Sequence, residues 1–458
     1  MVENLKGPKG QLYADPQPGK DETKFREDNN SAQYYNSVYY TEHKSQVQKI
    51  PAPRNTRPLD LANFLPADLF ASIKTAGKIS FHAVGDTGAA KVNRSQTVPT
   101  AIEHEAHVAD AMDADIEKQG ANGPAFFFHL GDVIYNFGEA RYYYDQFYEP
   151  FRAYDRPIFA IPGNHDGMVF GDKSTEPAVP TLAAFKANFC APNPGPSPDS
   201  GGLVRSVMTQ PGVYFTLDAP FVSIIGLYSN VLDNGAGVIS SQGGHFPISD
   251  EQLNFLKSEL KRLKPDREAF KRAVVLAVHH PPLSGDARHG GSTGMQKDID
   301  DCCKEAGLVP DLVLSGHAHL YQRFTRTEAN GKETPYIVSG SGGFAATPPK
   351  QFKQKFPIKG KDPIIGDNHQ LVKPPIVAFG YLTVETDART ISVTFTQADK
   401  TGVNVRDSVT LDLKTGKITS SGGGKATAGG KKAGKAKPAR RKSSPPKRSG
   451  KKAAKGRR

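Results

Sequence analysis

Five short polar clusters, each ending an apolar run, constrain this chain more than any other feature. They are Gly85-Asp86-Thr87-Gly88, Gly131-Asp132-Val133-Ile134-Tyr135, Gly163-Asn164-His165-Asp166, His279-His280-Pro281-Pro282 and Gly316-His317-Ala318-His319. The runs before them (residues 79–84, 125–130, 157–161, 274–278 and 312–314) have the length and composition of buried strands. Helix-like segments lie between several of them, at 101–119 and 250–263 for example. In the second, Leu253, Leu256 and Leu260 keep helical spacing, and Ser249 or Asp250 offers an N-cap. Strands alternating with helices predict an α/β body. In such sheets ligands gather beyond the carboxyl ends of the strands. Gly opens four of the five clusters and permits a tight turn there. Carboxylate, phenol, amide oxygen and imidazole are all metal-ligand types.

Charge is unevenly spread. The net charge is +12, yet residues 420–458 hold 15 Lys or Arg and no acid, leaving 44 bases against 47 acids elsewhere. A uniformly basic nucleic-acid-binding domain is excluded. The expected organisation is a polar N-terminal extension (1–75), a catalytic domain (76–415) closed by alternating strands after Gly380, and a disordered Lys/Arg-rich tail (420–458). Cys190, Cys302 and Cys303 cannot build a disulfide framework, which fits a reducing compartment. The first thirty residues show no apolar signal-peptide core, and the longest aliphatic run is too short for a membrane span. A soluble, cytoplasmic protein without a transmembrane segment is expected.

In this order the clusters resemble the five blocks of the purple acid phosphatases within the calcineurin-like metallophosphoesterases: GDxG, GDxxY, GNH followed by an acid, VxxH and GHxH. Four blocks match letter for letter, and the resemblance extends over roughly residues 78–410. Tyr321 and Arg323 also follow the last block as they do in the family. The fourth block departs, with Leu276 where the family has Val. Reading His280 as the ligand would put Ala277 there instead; His279 is preferred because the family's ligand histidine usually precedes an x-Pro pair. The resemblance implies a four-layer α/β/β/α sandwich of two mixed sheets with a metal site at one edge. The N-terminal β-sandwich of plant-type members is not expected, since residues 1–75 are too few and too polar.

Most metallophosphoesterases resemble one another in an Asp-x-His first block, but Gly88 stands at that His position. Tyr135, three residues past Asp132, is the candidate to supply the missing ligand. The resemblance then implies one metal held by Asp86, Asp132, Tyr135 and His319. The second would share Asp132 and take Asn164, His279 and His317. Anionic ligands suit a hard trivalent ion and the neutral set a divalent one, consistent with the family's Fe(III) paired with Fe, Zn or Mn. A hydroxide between such ions is nucleophilic near neutral or acid pH. The implied reaction is phosphomonoester hydrolysis by in-line attack, with acid phosphatase character. His165 matches the family's catalytic histidine and is the first candidate to protonate the leaving alcohol. His289 resembles a second such histidine of some members. The alternatives are a phosphodiesterase or pyrophosphatase of the same fold, or a non-catalytic polyanion-binding protein. The last is disfavoured because docking needs no seven convergent metal ligands.

Other residues carry blander readings. Asp166 reads as a turn or salt-bridge residue, His104 and His107 as a solvated helix face, and His82 and His129 as satisfied core histidines. His245 reads as a loop residue and Tyr142, Tyr143 and Tyr144 as helix packing. Residues 339–343, Ser-Gly-Ser-Gly-Gly, read equally as a phosphate cradle or a strand-end turn. The tail lacks aromatic residues, so its expected partner is a nucleic acid or polyphosphate bound by charge alone, with an anionic membrane surface second.

Overall fold

The run Ala273–Val278 is wholly buried, and its residues alternate between two cores: Ala273, Val275 and Ala277 join one, Val274, Leu276 and Val278 the other. That is the pattern of a strand covered on both faces. A computed structural model describes residues 50–422 except 89–97, 136–137, 139, 168–181, 204, 230–236, 241–249, 287–288, 348, 350–356 and 360–367. In chain order the first strands are β1 (Leu59–Asp60), β2 (Lys78–Val84), β3 (Phe127–His129), β4 (Ile158–Ala160), β5 (Phe215–Ala219), β6 (Val222–Leu227), β7 (Ala273–Val278) and β8 (Leu312–Ser315). They continue with β9 (Tyr321–Thr327), β10 (Glu333–Ser339), β11 (Ile358–Lys359), β12 (His369–Leu371), β13 (Gly380–Asp387), β14 (Thr390–Asp399), β15 (Gly402–Asp412) and β16 (Lys417–Gly422). The helices are α1 (Ala67–Ala76), α2 (Val98–Gln119), α3 (Asn164–Gly167), α4 (Ala183–Phe189), α5 (Glu251–Glu268) and α6 (Thr293–Ala306).

Two mixed sheets result. One runs β1-β5-β6-β7-β8-β10-β9-β12-β11, the other β16-β15-β14-β13-β2-β3-β4. A single apolar core contains residues of both, among them Phe81, Phe128, Leu382 and Val393 with Phe215, Ile224, Val275 and Ile337. The sheets therefore pack face to face. Gly226 marks a close approach: a Cβ there would lie 2.7 Å from Ile161 Cγ2. Helix α2 covers the outer face of β13 and β14, and α5 with α6 covers the β6–β7 side. This is the four-layer α/β/β/α sandwich. Asp250 caps α5, accepting the Leu253 amide at 3.1 Å.

Two domain edges differ from the sequence reading. Residues 50–75 belong to the folded body: Ile50, Leu61, Leu65 and Ile73 are buried, and β1 pairs in parallel with β5. Arg54 donates to the carbonyls of Cys190, Ala191, Thr209 and Gln210, stitching this segment down. At the other end β16 pairs with β15 through Gly422, so ordered strand runs past the expected boundary at 420. Residues 1–49 and 423–458 lie outside the described residues. Among the described residues no helix is long and apolar enough to cross a membrane.

A buried ion cluster ties the sheets together. Asp407 on β15 accepts from Tyr321 (2.8 Å) and from Arg323 Nε (2.7 Å) on β9, with Lys373 Nζ at 3.0 Å. Tyr321 also stacks on Phe395 of β14 at 4.3 Å. The Tyr and Arg that follow the last cluster thus act as inter-sheet struts. Removing one partner strands a buried charge. Asp407→Ala should lower unfolding free energy by about 3–5 kcal/mol, whereas an Arg323→Met/Asp407→Leu double variant should lose much less. Urea denaturation of the three proteins checks this; equal losses in single and double variants would contradict it.

Candidate metal centre

The five clusters meet because their strands end together. β2, β3 and β4 are parallel, with Val84, His129 and Ala160 in register. In the other sheet β7 and β8 are parallel and in register at Ala277 and Leu314. The loops then lace across the gap. Asp86 N donates to Gly131 O (2.9 Å), Gly316 N to His279 O (2.9 Å) and His317 N to the Asp86 carboxylate (2.7 Å). Asp86, Asp132 and His317 all take left-handed backbone conformations, with φ of 59°, 53° and 66°. Non-glycine residues rarely do so, and such strain concentrates at functional sites.

All seven sequence-predicted ligands come together. Tyr135 Oη lies 3.0 Å from Asp86 Oδ1, 3.1 Å from Asp132 Oδ2 and 3.4 Å from His319 Nε2. His319 Nε2 is 3.3 Å from Asp86 Oδ1. On the other side of Asp132, Asn164 Oδ1 sits 3.1 Å from His279 Nε2 and 3.0 Å from His317 Nδ1. His279 Nε2 is 3.3 Å from Asp132 Oδ2. Asp132, His279 and His317 bring one ligand atom each within 4.8 Å of one another. Two groups of donors thus share Asp132.

The electrostatics fit cations. Asp86 and Asp132 are almost fully buried, and among the described residues neither pairs with a Lys or Arg. One phenolic proton must serve two carboxylates. Burial, then the charges of Asp132 and Asp86, push the Tyr135 hydroxyl well above its usual range. Burial would also raise Asp132, but the charge of His279 and His165 and the hydrogen bonds around it hold its carboxyl low. Burial works against protonated His279, yet Asp132 carries its pKa up to about 9. His317 is held low by burial and its imidazole neighbours, and among the described residues its buried Nε2 has no hydrogen-bond partner. Protons here do the work that cations of higher charge would do better.

His165 and His289 flank the cluster. The His165 ring is 4.4 Å from that of Tyr135, and its amide donates to Asp132 (2.9 Å). The His289 ring is 4.6 Å from His317 and 5.2 Å from His319. Asp166 is a brace, accepting from the amides of Gly163, Val133 and Ile134. His280 Nδ1 lies 2.8 Å from Ser229 Oγ with its ring 4.2 Å from that of His317, while His279 Nε2 lies 3.1 Å from Asn164 Oδ1. His129 and His82 bond to Thr87 and Tyr154 in the core. On α2, His104 stacks on Phe379 and His107 faces Glu103. Tyr142 and Tyr143 are packing residues. The 339–343 segment is a strand-end turn: Ser339 O accepts the Gly85 amide, and the Gly342 amide is spent on Gly85 O. His245 lies outside the described residues.

Sequence reasoning missed four supports. Gln146 clamps the Tyr135 backbone, Phe344 stacks on its ring at 3.5 Å, Asp286 accepts the His289 amide at 2.6 Å, and the Leu130 carbonyl lies 2.8 Å from His279 Nδ1. No local motif marks any of them.

Comparison with known proteins agrees with this geometry. The profile of the calcineurin-like phosphoesterases matches residues 79–321. Tartrate-resistant acid phosphatase type 5 of Rattus norvegicus is 26% identical over 333 residues, covering 70% of this chain and 88% of that protein. A probable purple acid phosphatase of Arabidopsis thaliana is 34% identical over 104 residues, 21% of this chain and 23% of that one. Among solved structures, a purple acid phosphatase from yellow lupin seeds aligns at a TM-score of 0.46 and 14% identity. The alignment covers 81% of this chain and 54% of the lupin chain, about half its length. The chain belongs to the calcineurin-like phosphoesterase family. It is a phosphoesterase that resembles purple acid phosphatases, and its family works with two metal ions.

Gly88 leaves no room for a side chain beside Tyr135. A Cβ there would lie 2.7 Å from Gln146 Oε1 and 2.8 Å from Tyr135 Cδ2. A side chain at 88 and the Tyr135 ring compete for one space. Gly88→Ala should therefore lower metal affinity about 10–100-fold, the usual effect of displacing a ligand's support, with an unchanged far-ultraviolet spectrum. Unaltered metal retention under a chelator would contradict the close fit.

Proposed function

We propose that this chain hydrolyses phosphomonoesters with two metal ions, Fe(III) and a divalent Fe, Zn or Mn. The observation that carries the reading is the convergence of seven donors from five strand ends on one buried point. Asp86, Asp132, Tyr135 and His319 would hold the trivalent ion; Asp132, Asn164, His279 and His317 would hold the divalent one. Such ions supply Lewis acidity to a phosphoryl group and acidify water.

The chain's own residues do the rest. Asp132 is common to both donor groups, so its carboxylate sets their relative position. The His165 amide holds that carboxylate at 2.9 Å while its ring lies against Tyr135, beside the donors. From there His165 is the candidate to deliver a proton to the leaving alcohol oxygen. His289, on the His317–His319 side, is the second candidate for contact with the phosphoryl or leaving group. Metal analysis with turnover of an aryl phosphate tests the reading. Asn164→Ala should lose the divalent ion, and turnover should fall by more than the about 10–100-fold expected for an indirect support. Full metal content and activity in that variant would sink the assignment.

The tail extends the proposal. Fifteen bases without an acid between 420 and 458 support weak attachment to DNA, RNA or polyphosphate, raising the local concentration of substrates held there. Truncation after Gly422 keeps every described strand. It should leave aryl phosphate turnover intact and abolish DNA retention. Retention by the full chain should fall about a thousandfold or more between 50 and 200 mM salt if some six phosphates are contacted. Lost turnover, or undiminished DNA binding, in the truncated protein would contradict the tether.

A further inference from the structure

Tyr135 belongs to no helix or strand, yet it is 3% exposed and its phenol must meet two carboxylates at once. Buried backbone groups outside regular structure need partners. Both of Tyr135's come from one side chain. Its amide donates to Gln146 Oε1 at 2.7 Å, and its carbonyl accepts from Gln146 Nε2 at 2.9 Å. A planar primary amide offers this donor-and-acceptor pair, matching one residue's N–H and C=O.

Gln146 is itself held. It is 1% exposed and sits within a single π-helical turn, Tyr144–Tyr148, closed by the Glu149 amide on Tyr144 O at 2.9 Å. Such turns are rare and recur at functional sites. The Tyr135 ring is boxed as well, with Phe344 stacked on it at 3.5 Å and 5° and no room for a side chain at Gly88.

We propose that Gln146 is a positioning residue for the metal centre: it fixes the Tyr135 backbone, and thereby the phenol, at the Asp86–Tyr135–His319 donor group and not at the Asn164–His279–His317 group. The inference rests on Tyr135 being a metal ligand. Gln146 is not one of the seven candidate ligands; it acts through the Tyr135 backbone. Its loss should weaken one ion's hold selectively.

The test uses full-length protein loaded with iron and zinc. A phenolate on ferric iron gives a visible charge-transfer band, which reports on the Tyr135 group alone; total metal analysis reports on both. In Gln146→Ala the iron should be stripped by about 10–100-fold less chelator than in the wild type, with the band shifted or lost, while zinc retention is unchanged. Gln146→Glu keeps the acceptor for the Tyr135 amide and loses the donor to its carbonyl, so it should fall between the two. It also serves as the reading if the alanine variant fails to fold, judged by its circular dichroism melting curve. A folded variant with wild-type band and iron retention would overturn the role of Gln146, as would equal weakening of iron and zinc, which marks a general packing defect. Iron-loaded wild type without a band would remove the Tyr135 reading, and this inference with it.

Discussion

Asp86 and Asp132 direct their carboxylates at a single phenolic hydroxyl, at 3.0 and 3.1 Å, in a place water hardly reaches. Like charges that close, without a Lys or Arg partner among the described residues, are costly in a low-dielectric interior. Much of the surrounding architecture serves to tolerate them. His279 Nε2 lies 3.3 Å from Asp132 Oδ2, the His317 amide donates to Asp86, and the His165 amide donates to Asp132. Three of the residues involved accept left-handed backbone conformations. An arrangement this costly is stable only if the rest of the fold over-determines it.

The fold does so by layering. Glycines keep side chains off the carboxylates: a Cβ at Gly163 would lie 2.1 Å from Asp132 Oδ1, and one at Gly316 or Gly340 within 2.8 Å of Asp86 Oδ2. Beneath the loops, two sheets share one apolar core, and the Asp407 cluster joins them below the last motif. The centre therefore spans a seam between sheets. Its upper half, from β2, β3 and β4, and its lower half, from β7 and β8, keep their distance only while that core is intact.

What could be read in the sequence was what chemistry keeps local. Gly-Asp, Gly-Asn-His and Gly-His-x-His each combine a turn with a donor, so the five strand ends and seven candidate ligands were visible without coordinates. The supports were hidden because each is a residue type with many uses, and Phe344 and Leu130 also act across long separations. Gln146 sits in a tyrosine-rich stretch that reads as packing, and Phe344 and Asp407 lie far from the residues they hold. Boundaries failed for a different reason. Residues 50–75 bury only a few apolar side chains under a polar surface, and β16 runs into the Ser and Gly that open the tail, so composition changes where structure does not.

One shared carboxylate, that of Asp132, lies between two groups of donors. Anomalous diffraction from crystals of the iron- and zinc-loaded protein, recorded at both absorption edges, examines it most directly. Two peaks about 3.5–4 Å apart are expected, both within reach of Asp132, with iron on the Asp86, Tyr135 and His319 side and zinc on the Asn164, His279 and His317 side. A single peak, or a second one away from Asp132, would contradict it.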